Sequence, residues 1–207
     1  MKTLIKRSGE FQDALAASFR SGLVLVDESP RLRACAAACQ LSLEHATMVR
    51  VAFERNASNS ATALVRLQYE ALLRGAWLLH AASDFEVEKL SAALDEDSAQ
   101  RAKNVAGAAH MLETLAATAP AALVGPLQQF DDLSRRGLNS YVHAGLHPLQ
   151  RVAQGYFPQP LAEQLIRNSN GLMHMAYRLL ATLSGNQALV DVTTRAHLAF
   201  ADCLPFD

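Results

Sequence analysis

The sequence lacks the short motifs that mark most common enzyme classes. Its 207 residues contain no Gly-rich phosphate loop, no Gly-x-Ser-x-Gly elbow, no His-Glu-x-x-His and no paired-cysteine zinc spacing. Each of these motifs supplies a phosphate cradle, a nucleophile or a metal site, so their absence disfavours the enzymes that depend on them. We therefore predict no cofactor and no metal, and the sequence favours a non-enzymatic protein over an enzyme.

Membrane segments, export signals and disulfide patterns are also missing. No run of about 18 apolar residues is free of charge. The interrupting residues of the most hydrophobic segments are Arg20, Arg50, Arg74 and Arg178. The first apolar run ends after Ile5, which is too short for the core of a signal peptide. With an odd set of 3 cysteines, we expect reduced thiols, a cytoplasmic location and no membrane association.

Neither sign of charge dominates the chain. Its 19 Lys and Arg residues against 20 Asp and Glu residues leave a formal net charge of −1, whereas non-specific binding to nucleic acid needs many uncompensated cations. Hydrophobic residues make up 50% of the chain, which is enough for a sizeable core. No long Pro-, Gly- or Ser-rich linker divides the sequence, so we predict one domain over residues 1–207.

Alanine and leucine dominate, and apolar residues recur at intervals of three and four, which favours helix over strand. Caps and breakers predict helices over 9–27, 30–55, 61–82, 97–118, 126–144, 160–184 and 187–203, with one more beginning at Ser83. Gly145 and Pro148 should end the helix over 126–144, and a loop through Gly155 and Pro158 should follow. Ser29-Pro30 and the Ser83/Glu86 pair supply typical N-terminal caps. The predicted fold is an all-α, antiparallel bundle of about seven or eight helices.

Charged and aromatic side chains share one face of the helix predicted over 61–82. At about 100° per residue, Arg66, Glu70 and Arg74 lie within a sector of roughly 80°. Tyr69 and Trp77 lie in or beside the same sector. Since the opposite side of the helix is apolar, we expect this helix to lie centrally in the bundle, where its charges cannot all be solvated.

Two arginines and one glutamate leave one positive charge to be compensated. An acid from another helix, such as Asp132 or Glu44, would complete a buried ion network that fixes how the helices pack. Alternatively, the two guanidiniums would bind a small anionic or nucleotide-like ligand, since arginine binds carboxylate and phosphate bidentately and aromatic rings stack on bases. The sequence allows both interpretations.

A second polar stripe runs along the helix predicted over 126–144. Its members are Asp132, Arg136, Asn139, Ser140 and His143. In the simpler interpretation, this stripe is the solvated side of an amphipathic helix. In the alternative, His143 is an acid–base group near neutral pH and Arg136 stabilises negative charge on a phosphate, a pair that could cleave RNA without a metal.

The segment Arg136-Gly-Leu-Asn-Ser-Tyr-Val-His143 resembles the Arg-x(4–6)-His motif of HEPN helical domains, a superfamily that includes ribonuclease toxins and antiphage proteins. The resemblance implies a metal-independent ribonuclease with Arg136 and His143 as catalytic residues and RNA as substrate. It also implies a homodimer, since a stripe of this kind forms a nuclease only where two copies meet. Gly137 departs from the polar residue that usually follows the arginine.

The two helices together resemble an uncharacterised bacterial family of similar length. The matching segments are Arg66-Leu-Gln-Tyr69-Glu70, Arg74-Gly-Ala-Trp77 and Asn139-Ser140-Tyr-Val-His143-Ala-Gly145. The family pattern reads Arg-x-x-aromatic-Glu, Arg-x-x-Trp and Ser-x-x-His-Gly-Gly, so Ala144 replaces its first glycine. The resemblance brings no known activity, but it implies that both helices contribute to one site. The expected ligand-binding residues are Arg66, Tyr69, Glu70, Arg74, Trp77, Asn139, Ser140 and His143.

Ligand-binding and interaction proteins should differ in how these residues are arranged. A ligand-binding protein or an enzyme needs a concave pocket where the arginines, Trp77 and His143 converge. An interaction protein, including one that forms a homodimer, should instead pair these groups internally and expose an apolar patch.

Overall fold

The computed structural model describes residues 1–101 and 104–205 of the chain, without the side chains of residues 99, 101, 135 and 136. As the apolar periodicity predicts, this part of the chain is all-helical and contains no strand. The helices are α1 (Lys2–Ala17), α2 (Pro30–Glu54), α3 (Ser58–His80), α4 (Asp84–Ser91), α5 (Glu96–Arg101), α6 (Ala108–Thr118), α7 (Ala121–Val142), α8 (Leu146–Gln154), α9 (Gln159–Leu183) and α10 (Gln187–Ala199), followed by a 3₁₀ turn at Ala201–Cys203.

Several helix boundaries follow from local capping. The Ser29 side chain accepts a hydrogen bond from the Leu32 amide, and Pro30 occupies the first turn of α2. Ser83 and Glu86 form the predicted capping box at the start of α4. These caps act within one turn of the chain, which is why the sequence alone predicts them.

The expected number of helices is wrong, since the described residues form ten α-helices. The helix expected over 97–118 is divided into α5 and α6, with Gly107 preceding α6. The region that Pro148 was expected to leave non-helical forms α8 instead. Pro148 is the third residue of α8, where the missing amide hydrogen has no partner to lose, so the proline is compatible with the helix.

The residues at which two helices were expected to begin are also wrong. The first helix begins at Lys2 and ends at Ala17, whereas 9–27 was expected. The α7 helix begins at Ala121 with Pro126 inside it, so the proline removes one backbone hydrogen bond without starting the helix. The spacing of apolar residues predicts that a helix is present, but it does not show which of several nearby prolines lies at the start of that helix.

The central element is α3, which packs against α2, α6, α7 and α9. Leu72, Leu73 and Trp77 are almost completely buried on its different sides. Gly75 lets α2 approach closely, because a Cβ at this position would lie 3.2 Å from the Cys39 Sγ. A smaller apolar cluster around Phe11 and Tyr177 joins α1 and α9 to the end of the described chain.

In the described part of the chain, every helix is too short or too polar to cross a membrane.

Candidate functional site

The Arg66 guanidinium lies between two carboxylates at the contact of α3 with α7. Its Nη2 atom is 2.7 Å from Glu70 Oε1, one turn along α3, and its Nη1 atom is 3.6 Å from Asp131 Oδ1 on α7. The Arg66 and Asp131 side chains are only 6% and 5% exposed, whereas the Glu70 side chain is 44% exposed. One arm of the network is therefore desolvated and the other faces water.

The acid that α7 supplies is Asp131, whereas the sequence suggested Asp132 or Glu44. Both of those residues are exposed, and Asp131 is 4% exposed. Consecutive residues of a helix point about 100° apart, so only one of the two adjacent aspartates can face α3. Among the described side chains of this face, the two positive charges of Arg66 and Arg74 are thus balanced in number by the two negative charges of Glu70 and Asp131.

Tyr69 is part of the core at this contact. Its side chain is completely buried, and its ring lies 4.7 Å from the Phe130 ring of α7, measured between centroids. The Arg66 guanidinium lies 5.4 Å from the centroid of the Tyr69 ring, within the range of a cation–π interaction. Both faces of this aromatic ring are therefore occupied by the protein itself.

Arg74 and Trp77 lie further along α3, where it meets the segment that leads into α6. Arg74 is half-buried, and its Nη2 atom donates to the Ala106 carbonyl at 3.3 Å. Burial lowers the pKa of Arg74, while the charge of Glu70 acts in the opposite direction. Within the described residues, the buried Arg74 Nη1 and Trp77 Nε1 donors have no hydrogen-bond acceptor.

Ser140 and Gly145 build the junction between α7 and α8. The Ser140 Oγ accepts a hydrogen bond from the His147 amide at 3.1 Å, so it caps the exposed first turn of α8. A Cβ on Gly145 would lie 2.7 Å from that same oxygen, which leaves no room for a side chain. Ala144 between them has a φ of 50°, a conformation that glycine adopts without steric cost.

This geometry gives a structural reason for the Ser-x-x-His-Gly-Gly pattern. The serine caps the following helix, the first glycine position has positive φ, and the second glycine makes room for the serine oxygen. In this chain, the turn between two helices gives a structural role to three of the four positions of the pattern. His143 is the position that the turn does not explain.

His143 is exposed at the C-terminal end of α7. It follows Asp131 by twelve residues, which is about 18 Å along a helix axis. The structure thus brings Arg66, Tyr69 and Glu70 together with Asp131, and places Asn139, Ser140 and His143 two or more turns away. The shared site and the ribonuclease pair both stay predictions, and the Arg136 side chain lies outside the described part of the chain.

The α8 helix is the element that sequence reasoning missed. Four large apolar side chains of this region face solvent. They are Leu146 at 69%, Leu149 at 60%, Val152 at 69% and Tyr156 at 60% exposure. No residue of α8 is buried. The spacing of Leu146, Leu149 and Val152 at three residues is a helical signal, which the expectation that Pro148 ends a helix obscured.

Two cavities of the described chain lie away from the α3–α7 contact. One is a cavity of about 10 Å³ between α1, α2 and α9, lined in part by Ser8, Arg50 and Asn170, and this volume accommodates about one water molecule. The other is an open cleft beside α1, lined in part by Arg7 and Asp202. The described residues contain no cluster of three or more His, Cys, Asp or Glu side chains that could hold a metal ion.

Comparison with known proteins identifies one family. Its model, described as a family of unknown function (DUF6988), matches residues 39–206 of the chain. The match includes α3, α7 and α8, with all of the residues expected in the ligand site. No curated protein and no solved structure matches the chain.

Proposed function

The chain belongs to the DUF6988 family of unknown function, and we propose that it is a one-domain helical-bundle protein that binds another protein through the outer face of α8. We call this face the α8 surface and define it by Leu146, Leu149, Val152, Ala153 and Tyr156. The observation that carries the proposal is that α8 is an amphipathic helix with its apolar side turned outward.

The apolar side of α8 is as exposed as most of its polar side, which is not expected in an isolated monomer. A surface helix normally buries its apolar stripe and exposes its polar side. In α8, Leu149 and Val152 are exposed, as are three of the four polar residues, and the fourth, Arg151, is half-buried. Removing apolar surface from water is favourable by roughly 25 cal/mol for each Å². Covering these side chains would therefore stabilise a complex with a partner.

The α3–α7 contact supports the same conclusion. A pocket for an anion would leave the guanidinium of Arg66 available to a ligand, but Glu70 and Asp131 already lie beside it. Tyr69 contacts Phe130 and so offers no free face for stacking. Internally paired charges together with an exposed apolar patch are the combination expected of an interaction protein.

Site-specific photo-cross-linking in the native host would test this proposal. A photoreactive phenylalanine analogue at position 149 should give covalent adducts heavier than the chain alone. The same analogue at position 198 is a matched control, because Leu198 is also a large apolar side chain, 71% exposed on α10. Equal yields at the two positions, or no adduct at position 149, would contradict the proposal.

A second candidate function is supported by Arg74 and Trp77, each of which has a buried donor without an acceptor among the described residues. Buried donors without acceptors cost about 1 to 3 kcal/mol each, and the Arg74 Nη1 and Trp77 Nε1 atoms are such donors within the described residues. A carboxylate or phosphate group that reached both atoms would recover part of this cost. In this second proposal, a small anionic ligand binds at the α3–α6 junction.

Thermal-shift measurements with a panel of nucleotides and carboxylates would test the second candidate. Stabilisation of the wild type that Arg74→Lys and Trp77→Phe both abolish would support it, since each variant removes the donor geometry while preserving bulk. Arg31→Lys is the control, because Arg31 is an arginine that already donates to the Leu78 and Ala82 carbonyls. If no compound raises the melting temperature, the second candidate is wrong.

A further inference from the structure

We infer that the partner of the α8 surface is a second copy of this chain, related by a twofold axis. This inference rests on the proposed function and specifies the partner. It depends on three properties of α8: the charge pattern around the helix, the area that the apolar side chains present, and the position of the polar residues.

The apolar side of α8 carries no charge that a second copy would have to bury. At about 100° per residue, Leu146, Pro148, Leu149, Val152 and Ala153 lie within a sector of about 160°. All five are uncharged. Burying an unpaired charge costs several kcal/mol, so two copies of this sector can meet without that cost.

The polar residues of α8 lie on the other side. His147, Gln150, Arg151 and Gln154 occupy a separate sector of about 100°. In a twofold pair of α8 helices, these side chains would remain at the rim, in contact with water. A surface of this kind is self-complementary, as the interface of a twofold dimer must be, because the same patch serves both subunits.

The area of the α8 surface agrees with a symmetric pair. Leu146, Leu149, Val152 and Tyr156 are 60 to 69% exposed, and each would contribute on the order of 100 Å². Together with Ala153 and the half-buried Pro148 beside this surface, one copy presents roughly 500 Å² of apolar surface, and two copies would bury about 1,000 Å². Specific interfaces begin near that total, so the twofold pair reaches a sufficient size through the α8 surface of each copy.

An interface at this lower limit of size should dissociate at accessible concentrations. Sedimentation equilibrium of the full chain between about 1 and 200 µM should show a monomer–dimer equilibrium. Leu149→Asp should weaken the dimer about 30-fold or more, as expected for a central apolar residue. Val152→Asp is a second variant with the same expectation, and Leu198→Asp on α10 is the control that should leave the equilibrium unchanged.

Cysteine cross-linking would show whether the α8 surfaces of the two copies are in contact. The three native cysteines are buried, so a cysteine placed at Ala153 would be the reactive thiol among the described residues. Ala153→Cys should form a covalent dimer with a short bismaleimide. Ala188→Cys, at an exposed alanine of α10, should not.

The outcomes separate this inference from the proposed function. A monomer at every concentration, or a dimer that survives both aspartate variants and fails to cross-link through Ala153→Cys, overturns the second-copy assignment. In that event, adducts of another mass at position 149 in the host would leave the interaction function standing with a different partner. Absence of any adduct at position 149 would remove both. Circular dichroism of each variant establishes that α8 substitutions leave the protein folded.

Discussion

The α3–α7 contact and the α8 surface differ in the polarity of their side chains and in the solvent exposure of those side chains. At the first, charged groups are buried, with Arg66 at 5% and Asp131 at 4% exposure. At the second, aliphatic groups are exposed, with Val152 at 69%. The charges at the first contact are stabilised by each other within one chain, whereas the apolar groups of α8 have no comparable cover within the described residues.

This difference indicates where function is to be sought. A buried ion pair within one chain is already compensated, and removing one partner is strongly destabilising. An exposed apolar helix face is unfavourable in water until something covers it. Under the proposed function, the residues with the most conspicuous chemistry maintain the structure, and the residues with the least chemistry form the binding surface.

The largest effect should come from removing the charge of Asp131. Asp131→Asn leaves the buried Arg66 guanidinium with the partly exposed Glu70 as its remaining carboxylate within the described contacts. We expect a loss of about 3 kcal/mol in the free energy of unfolding, as is typical when one partner of a buried pair is removed. Urea denaturation would measure it.

The control for this prediction is the adjacent, exposed Asp132. Asp132→Asn should change the free energy of unfolding by no more than about 0.5 kcal/mol. Replacing both buried partners, as in Arg66→Met with Asp131→Leu, should recover most of the loss. Equal destabilisation by Asp131→Asn and Asp132→Asn would show that α7 does not face α3 as described.

A pH-dependent effect should follow from a half-buried histidine, His174, at the contact of α9 with α10. Burial, the neighbouring His197 and the charge of Arg178 lower the pKa of His174 from 6.5 to about 4, against the opposing hydrogen bond to the Thr193 carbonyl. Phe11 of α1 stacks on its other side. Unlike the fully buried Arg66 and Asp131, this polar group is only partly removed from water.

Because the folded pKa is the lower one, the unfolded chain binds more protons between pH 6.5 and pH 4. The folded state should therefore lose stability as the pH falls through this range, by on the order of 2 kcal/mol. The difference between wild type and His174→Gln in urea titrations isolates this contribution from other groups. A pH dependence unchanged by the substitution would show that the imidazole is solvated.

A smaller, stabilising effect is expected at the turn that joins the two regions. Ala144 has a positive φ, so Ala144→Gly should raise the free energy of unfolding by about 1 kcal/mol. The corresponding rise in melting temperature is about 2 to 4 °C for a chain of this size. Differential scanning calorimetry would detect it.

The matched control is Ala37→Gly, at an exposed position inside α2. There the same substitution should lower stability by about 1 kcal/mol, because glycine is unfavourable in a helix interior. The same alanine-to-glycine substitution should therefore raise the free energy of unfolding at one position and lower it at the other. Destabilisation at both positions would contradict the left-handed conformation of residue 144.

The smallest effect on folding should come from the α8 surface itself. Leu149→Asp should change the free energy of unfolding of the monomer by less than about 0.5 kcal/mol, because the side chain is already exposed. Leu127→Ala, at a fully buried position of α7, should cost about 2 to 5 kcal/mol. Unfolding measured near 1 µM, where association contributes least, would compare them. A large loss from Leu149→Asp would mean that α8 packs on its own chain.

Much of the helical organisation is predictable, and the reason is that helix ends are local. Ser83 and Glu86 contact each other within one turn, and Asn186 accepts a hydrogen bond from the amide two residues later. The α8 helix was missed because a proline at its third position looks like a terminator, although a first-turn proline is compatible with a helix. The spacing of its leucine and valine residues at intervals of three indicated a helix.

The polar residues were less predictable, because their roles depend on contacts between distant segments. The sequence identified Arg66 and Glu70 as neighbours on one helix face. It did not identify Asp131 as the acid from α7, since Asp132 is equally acidic and one position away. Ser140 was expected in a ligand site, which stays a prediction, and its oxygen also caps the first turn of α8. Only the junction geometry shows this.

By itself, the sequence determined that the chain is helical, where several helices begin, and that α3 has charged and aromatic groups on one face. Periodicity and capping suffice for these conclusions because they act over three or four residues. Only the tertiary structure decided that Asp131 completes the Arg66 network and that the apolar side of α8 points outward. The direction in which a helix face points depends on how the helix packs against its neighbours, and packing is set by contacts across the whole chain.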